Sequence, residues 1–108
     1  MTIARIWRTR IDQRRAPEYR RFAKEQSLPM FRAHEGFIGV VFCEARDERV
    51  VITLWATPEA VAALDASPVY RETVERIETS GFIVGPSSVE VFEVDGGVIE
   101  GTAIDLGA

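Results

Sequence analysis

The sequence predicts an α+β domain in which four antiparallel strands are covered on one face by helices. Four short segments rich in β-branched and aromatic residues alternate with two amphipathic segments of helical period, in the order β-α-β-β-α-β. The chain has 108 residues, which is the size of a single domain. Its composition, 46% hydrophobic and 28% charged, is typical of a chain that forms a core and excludes disorder as the main state.

The first strand and the first helix occupy the N-terminal part of the chain. Residues 3–11 combine isoleucine, tryptophan and arginine, which predicts a strand. Pro17 suits the first turn of a helix, and apolar side chains at helical spacing extend this helix to about Ser27. Because Pro29 lacks a backbone N–H, we expect it to interrupt the helix, with one further turn after it.

Two apolar segments predict a central hairpin. Residues 37–43 and 50–55 form its strands, and residues 45–49 form the loop between them. Neither strand alternates apolar with polar side chains, so both of its faces are apolar. Strict alternation places Phe37 on the same face as Val41.

The second helical region is predicted from its capping residues. Thr57 is followed by proline and glutamate, which is a strong signal for a helix start. Ser67, again followed by proline, predicts a bend and a second helix, which ends where Gly81 is free to adopt the left-handed conformation. Residues 88–94 alternate and predict the last strand.

This order of elements is that of a ferredoxin-like fold. We assign residues 1–94 to this domain and residues 95–108 to a C-terminal tail, which is either a mobile end or an arm lying on a neighbour. The helices cover only one face of the sheet, although both faces of the central strands are apolar. A second copy of the chain, packed sheet against sheet, is the simplest way to bury the open face, so we expect a homodimer.

Several classes of function are excluded by simple counts. The formal net charge of −4 argues against nucleic acid as the main partner. The longest apolar runs are far shorter than the ~20 residues that a membrane-spanning helix needs. With one cysteine, Cys43, and one histidine, the chain is not expected to form a disulfide or to bind a metal. Arginines in the first ten residues argue against a signal peptide, so the expected location is the cytoplasm.

Four segments resemble the antibiotic biosynthesis monooxygenase (ABM) family of the dimeric α+β barrel superfamily. They are the opening strand Ile3–Trp7, the turn Glu35–Gly39, the strand end and helix start Thr53–Ala60, and Ser67–Tyr70. The likeness extends over residues 2–94. It implies a homodimer that closes into a barrel through the open sheet faces. For the enzymes of the family it implies oxygenation of polycyclic aromatic or quinol compounds without a cofactor, or haem degradation.

The resemblance also allows individual positions to be compared with the functional residues of the family. Trp55 matches a family tryptophan, but the asparagine with which the oxygenases pair it is Val51 here. The haem-degrading members have an asparagine on the first strand, where this chain has Trp7 and Arg8. They have an iron-binding histidine on the second helix, where this chain offers Thr73 or a valine, so haem degradation is disfavoured.

The candidate site residues have functional and structural interpretations. As catalytic residues we predict Trp55, through its indole N–H, and His34, as a general base. The substrate-binding residues are predicted to be Trp7, Phe22, Tyr70 and Arg5. Arg5 shares a strand face with Trp7 and would stabilise a phenolate or enolate. The alternatives are core packing for the aromatic residues, a helix C-terminus for His34 and a charged edge strand for Arg5.

The sequence therefore supports three hypotheses. The first is an ABM-like, cofactor-independent monooxygenase that acts on a small aromatic or quinol-type compound. The second is a dimeric protein that binds a small ligand without turning it over. The third, which the residues favour least, is a haem-binding or haem-degrading protein.

Overall fold

The structure is a computed structural model that describes residues 1–101 of the chain. Its strands and α-helices are, in chain order, β1 (Ile3–Arg10), α1 (Ala16–Phe22), α2 (Leu28–Arg32), β2 (Phe37–Ala45), β3 (Glu48–Trp55), α3 (Pro58–Ala66), α4 (Pro68–Thr79) and β4 (Ser88–Glu93). All neighbouring strands are antiparallel, and their order in the sheet is β2-β3-β1-β4. The predicted ferredoxin-like fold is confirmed. Within residues 1–101, every helix is too short or too polar to cross a lipid bilayer.

The predicted break at Pro29 is wrong, because a widened turn accommodates the proline. A single π-helical turn, Ala23–Ser27, connects α1 to α2, and the backbone keeps right-handed helical dihedral angles on both sides of it. The amide of Leu28 donates to the carbonyl of Ala23, five residues earlier. Pro29 then lies in the first turn of α2, where a missing N–H costs little.

The central hairpin is tighter than predicted. Its strands pair as far as Ala45 and Glu48, so the loop consists of two residues rather than five. Arg46 takes the left-handed conformation, with φ of 58°. Two-residue hairpin turns need a positive φ, which glycine or asparagine usually supplies. Neither residue occurs in this turn, so the sequence did not predict it.

A β-bulge at the start of β2 overturns the predicted alternation. Phe37 pairs with Trp55 and Gly39 pairs with Leu54, so Ile38 is the extra residue. Phe37 therefore lies on the helix-covered face, with its ring centroid 5.5 Å from that of Trp55. The bulge adds one more aromatic ring to the core.

The capping residues act as predicted. The hydroxyl of Thr57 accepts a hydrogen bond from the amide of Ala60 at 3.1 Å. Ser67 ends α3 and caps α4, where its hydroxyl accepts from the amide of Tyr70 at 3.3 Å. Gly81 follows α4 with φ of +89°.

The two faces of β3 differ in burial although both are apolar. Its helix-covered residues, among them Val51, Thr53 and Trp55, are buried, whereas Val50 and Ile52 on the other face are only half-buried. The predicted apolar surface on the open face is thus present. Residues 95–101 have no regular strand or helix. The remainder of the expected tail, residues 102–108, lies outside the described residues.

Candidate functional site

A cavity lies between the sheet and the helices. Its walls come from β1, β3, α4 and the first helical region. The water-accessible cavity volume is about 40 Å³, and the total space between the walls, including the part open to solvent, is about 480 Å³. The smaller volume is room for a few water molecules, and the larger one counts space that is open to solvent.

The floor of the cavity follows from strand register. Arg5 and Trp7 lie two residues apart on β1 and therefore share one face. Their partners across the ladder are Thr53 and Val51 on β3. All four side chains line the cavity. Alternation along β1 predicted that Arg5 and Trp7 would lie together, and the structure confirms it.

The roof comes from two helical segments. On α4, Tyr70, Thr73 and Ile77 follow one another at helical spacing and face the cavity together. Phe22, which precedes the π-helical turn, and Ser27, which is its last residue, also line the cavity. Single π-helical turns often occur at functional sites, and this one lies directly over the cavity.

Arg5 supplies the charge of the site. Its side chain is 4% exposed, and its Nη2 donates to the hydroxyl of Tyr70 at 2.6 Å and to Oδ1 of Asp65 at 3.0 Å. The Arg5 guanidinium carbon lies 5.0 Å from the centroid of the Tyr70 ring. Within residues 1–101, the buried Nε of Arg5 has no hydrogen-bond partner. The cavity therefore has one permanently charged side chain in its wall, and that charge is paired with the Asp65 carboxylate.

Trp55 lies beneath the cavity rather than in its wall. It is fully buried, and its indole Nε1 donates to the hydroxyl of Thr53 at 2.8 Å. That hydroxyl in turn donates to the carbonyl of Arg5 at 3.3 Å. The indole N–H is thus occupied by Thr53, which is the residue that reaches the cavity. Sequence reasoning missed Thr53, although a polar residue two positions before Trp55 in an apolar strand was the available signal.

His34 also lies outside the cavity wall. Its Nδ1 is 2.8 Å from the carbonyl oxygen of Met30, and its Nε2 is 2.7 Å from the hydroxyl oxygen of Ser67. A carbonyl only accepts, so the neutral ring donates from Nδ1 and accepts at Nε2. Because both nitrogens are occupied, His34 has none free to bind a haem iron. Its contacts join the end of α2 to the junction of α3 and α4.

Tyr19 is a cavity residue that sequence reasoning left in the apolar stripe of the first helix. It is 4% exposed, and its ring packs edge-on against Phe82 with centroids 6.1 Å apart. Burial raises the pKa of the Tyr19 phenol far above its ordinary value of 10, although the nearby Arg49 guanidinium acts in the opposite direction. The Tyr19 phenol is therefore neutral over the physiological range.

The cavity brings together all four predicted substrate-binding residues and neither predicted catalytic residue. Arg5, Trp7, Phe22 and Tyr70 line it. Among the lining residues from the described part of the chain there is no carboxylate and no imidazole. Nor do residues 1–101 bring three or more histidine, cysteine or acidic side chains close enough together to hold a metal ion.

Comparison with known proteins gives a match in structure but not in sequence. No protein-family model and no curated protein sequence matches the chain. A monooxygenase of Streptomyces coelicolor from the gene ActVA-Orf6, solved with nanaomycin D, superposes with a TM-score of 0.76 at 16% identity, covering 91% of each chain. SnoaB, a cofactor-independent oxygenase of Streptomyces nogalater, gives a TM-score of 0.72 at 15% identity, covering 92% of this chain and 98% of its own.

A third similar structure is a candidate antibiotic biosynthesis monooxygenase of Nitrosomonas europaea. Its TM-score is 0.70 at 10% identity, with 87% of this chain and 90% of its own covered. The chain thus has the fold of the ABM-type monooxygenases over nearly its whole length, as the sequence resemblance implied. Identities this low establish the fold, whereas the activity depends on the residues of the site.

Proposed function

We propose that the chain is an ABM-like, cofactor-independent monooxygenase that acts on a small aromatic or quinol-type compound. The observation that supports this proposal is the cavity itself, with the aromatic walls Trp7, Phe22 and Tyr70 and one buried arginine. Flat aromatic walls favour a flat aromatic ligand, and a fixed cation favours a ligand that carries negative charge during the reaction. The fold shared with two monooxygenases is consistent with this chemistry.

The proposed reaction needs only molecular oxygen as oxidant. A CH₂ group activated by a neighbouring phenol or enol loses a proton, and the carbanion transfers one electron to O₂. The resulting radical pair combines into a peroxide, which takes up a proton and eliminates water to leave a carbonyl: R₂CH₂ + O₂ gives R₂C=O + H₂O. The protein orients the substrate, excludes water and stabilises the anion.

In this proposal Trp55 and His34 act as positioning residues. Trp55 fixes the Thr53 hydroxyl at the cavity floor. His34 bonds to Ser67, whose hydroxyl also accepts from the amide of Tyr70 and so sets the start of α4. Since no carboxylate or imidazole of residues 1–101 lines the cavity, the proposal requires a substrate that ionises readily by itself.

We also propose that two copies of the chain pair through the open sheet face. Val50, Ile52 and Leu54 are apolar and only half-buried in the single chain. Phe92 on β4, which pairs with Ala4 and so shares this face, is 48% exposed. Sedimentation velocity at micromolar protein is expected to give a dimer, and a stable monomer would contradict the pairing.

The alternative is a dimeric binding protein that holds the same class of ligand without oxidising it. The observation that favours it is the lack of a general base among the described lining residues. Oxygen consumption distinguishes the two functions. We would measure O₂ uptake with an anthrone and with a dihydroxynaphthalene, alongside the rise in melting temperature that each compound produces.

A matched pair of variants on α4 makes this experiment specific to the cavity. Val74→Trp fills the cavity from its roof, whereas Val69→Trp makes the same change at a site that is 53% exposed. The enzyme proposal expects uptake in the wild type and in Val69→Trp, and its loss in Val74→Trp. Stabilisation without uptake would support the binding protein, and neither response in the wild type would contradict both.

A further inference from the structure

The cavity opens between the first helical region and α4. Most of its lining residues are buried, and the half-buried ones mark the places where solvent reaches it. Phe22 and Ser27 are half-buried on the first helical region, and Tyr70 and Val74, one turn apart, are half-buried on α4. Trp7 on β1 is the fifth half-buried lining residue. The four helical residues therefore form the two rims of a slit above the sheet.

The cavity is too small, in this conformation, for an aromatic ligand. Its water-accessible volume is about 40 Å³, which is room for a few water molecules. A compound with two fused aromatic rings needs several times this space. One rim of the slit must therefore move before such a compound can enter.

The rim on α4 is fixed by polar contacts. The hydroxyl of Tyr70 accepts from Nη2 of Arg5 at 2.6 Å, which joins this rim to the cavity floor. The hydroxyl of Ser67, which caps α4, accepts from the amide of Tyr70 and also bonds to His34. Moving this rim would therefore break a charge-assisted hydrogen bond, which is among the stronger kinds in proteins.

The rim on the first helical region is held less firmly. The ion pair that joins this region to the sheet, from Arg20 to Glu44, lies before the π-helical turn. Within residues 1–101, the side chains of the turn itself, Ala23–Ser27, make no hydrogen bond or ion pair, and residues 24–26 are exposed. The side chains of the turn thus supply no polar contact that resists its movement.

The backbone of the turn also lacks part of the usual helical hydrogen bonding. The amide of Leu28 donates to the carbonyl of Ala23, whereas in an α-helix it would donate to that of Lys24. The next residue along the chain is Pro29, which has no N–H. The Lys24 carbonyl therefore has no donor from either position. Exposed backbone with few internal hydrogen bonds opens at a low cost in free energy.

We propose that the π-helical turn is the gate of the cavity, and that it moves away from α4 to admit a ligand and returns over the bound ring. Tyr19, before the turn, and Phe31, after it, are buried and hold the flanking helices on the core. The movement is thereby confined to the turn and to the rim residues at its two ends. This inference rests on the proposed function only in treating the cavity as the ligand site, and it adds the route of entry.

The first experiment measures access to the cavity without any ligand. Val51→Cys places a thiol in the cavity floor, and Cys43→Ala removes the one native thiol. The reagent is 4,4′-dithiodipyridine, which is aromatic and uncharged and releases a coloured product when it reacts with a thiol. Because the floor residue is buried, the rate of this reaction reports how often the cavity opens. All variants below are made in this background.

A deletion and a substitution at one position test the turn. Deleting Lys24 restores ordinary α-helical winding, and Phe22 and Ser27, then four residues apart, still face the cavity together. We expect this deletion to slow labelling by about tenfold or more, because the turn no longer opens locally. Lys24→Ala removes the same exposed side chain at unchanged length and is expected to keep the original rate. Labelling of the folded deletion variant at the rate of Lys24→Ala, or faster, would overturn the inference.

The rim on α4 is tested in the same assay. Tyr70→Phe removes the hydroxyl that accepts from Arg5 and keeps the ring. We expect the labelling rate to change by less than about threefold, because Ser67 still caps α4. A much faster rate in Tyr70→Phe, with an unchanged rate in the Lys24 deletion, would assign the movement to α4 and overturn the inference.

Hydrogen exchange of the wild type tests the gate without relying on any variant to fold. Relative to their intrinsic rates, the amides of residues 24–28 are expected to exchange about tenfold faster or more than those of residues 73–77 in α4. Saturating 2-naphthol is expected to slow exchange in the turn. Slower exchange in the turn than in α4 would contradict the gate. A turn that opens in a protein that neither binds 2-naphthol nor consumes O₂ supports the gate while contradicting the proposed function.

Discussion

Replacing Thr53 by valine tests the link between the core and the cavity floor. The Thr53 hydroxyl accepts from Trp55 at 2.8 Å and donates to the Arg5 carbonyl at 3.3 Å, and it is 1% exposed. Valine has nearly the same shape, so packing is kept and both hydrogen bonds are lost. The Trp55 N–H is then buried without a partner, which costs about 1–3 kcal/mol.

The free energy of unfolding measures this cost. Urea denaturation followed by circular dichroism, at one fixed protein concentration, is expected to show a lower midpoint and an unchanged slope for Thr53→Val. For a domain of this size the melting temperature falls by about 4–8 °C per kcal/mol. The matched control is Thr79→Val, where the hydroxyl lost is exposed and bonds only within its own helix. We expect the control to change stability by less than about 0.5 kcal/mol.

A double-mutant cycle tests whether the cost of losing the Thr53 hydroxyl comes from its hydrogen bond with Trp55. In a Trp55→Phe background no indole N–H remains to be left unpaired, so Thr53→Val should cost less than it does in the wild type. We expect a coupling energy of about 1 kcal/mol or more between the two residues. A Thr53→Val protein as stable as the wild type would refute the claim that this hydroxyl satisfies the buried indole.

Three further predictions concern other parts of the chain. Gly36→Ala should lower the free energy of unfolding by several kcal/mol, because φ is +85° and the new Cβ would lie 2.6 Å from an alanine side chain of α3. Gly96→Ala, which has open space around it and lies outside the sheet, is the control in the same urea assay. Hydrogen bonds from Arg14 lower the pKa of Asp12 in the folded state. The Asp12 carboxylate therefore stabilises the fold above its unfolded pKa near 3.8, and this stabilisation is lost as the pH falls through the lower folded pKa. Melting curves measured as a function of pH should show that Asp12→Asn removes this contribution to the acid dependence of stability. Burial raises the pKa of Tyr19, so its phenol disfavours the folded state above about pH 10. Ultraviolet titration should show a tyrosine that ionises only as the protein unfolds in alkali, and a folded protein without such a tyrosine would contradict the burial of Tyr19.

Local rules predicted the features whose causes lie within a few residues. The caps Thr57 and Ser67 were predicted correctly because each bonds to an amide three residues ahead. Alternation along β1 put Arg5 and Trp7 on one face, and this is half of the cavity floor. The apolar open face of the sheet followed from the lack of alternation in the hairpin.

The features that were missed depend on partners distant in sequence. Trp55 was expected in the cavity wall, but whether its N–H is free depends on how deeply β3 is covered. His34 bonds to Ser67, 33 residues away, and nothing near it in sequence indicates that contact. Phe37 changed face because one extra residue entered β2, and bulges leave little trace in the local pattern.

The π-helical turn has a consequence for how this protein tolerates changes in length. One extra residue in a helix turns everything beyond it by about 100° relative to what precedes it. Here the π-helical turn absorbs that rotation, so Phe31, after the turn, stays on the same side as Tyr19, before it, and both are buried. Deleting one residue between 23 and 27 would leave an ordinary α-helix in which Tyr19 and Phe31, then eleven residues apart, still share a side, because eleven residues make about three turns. This stretch should therefore accept the loss of one residue without turning either ring toward solvent.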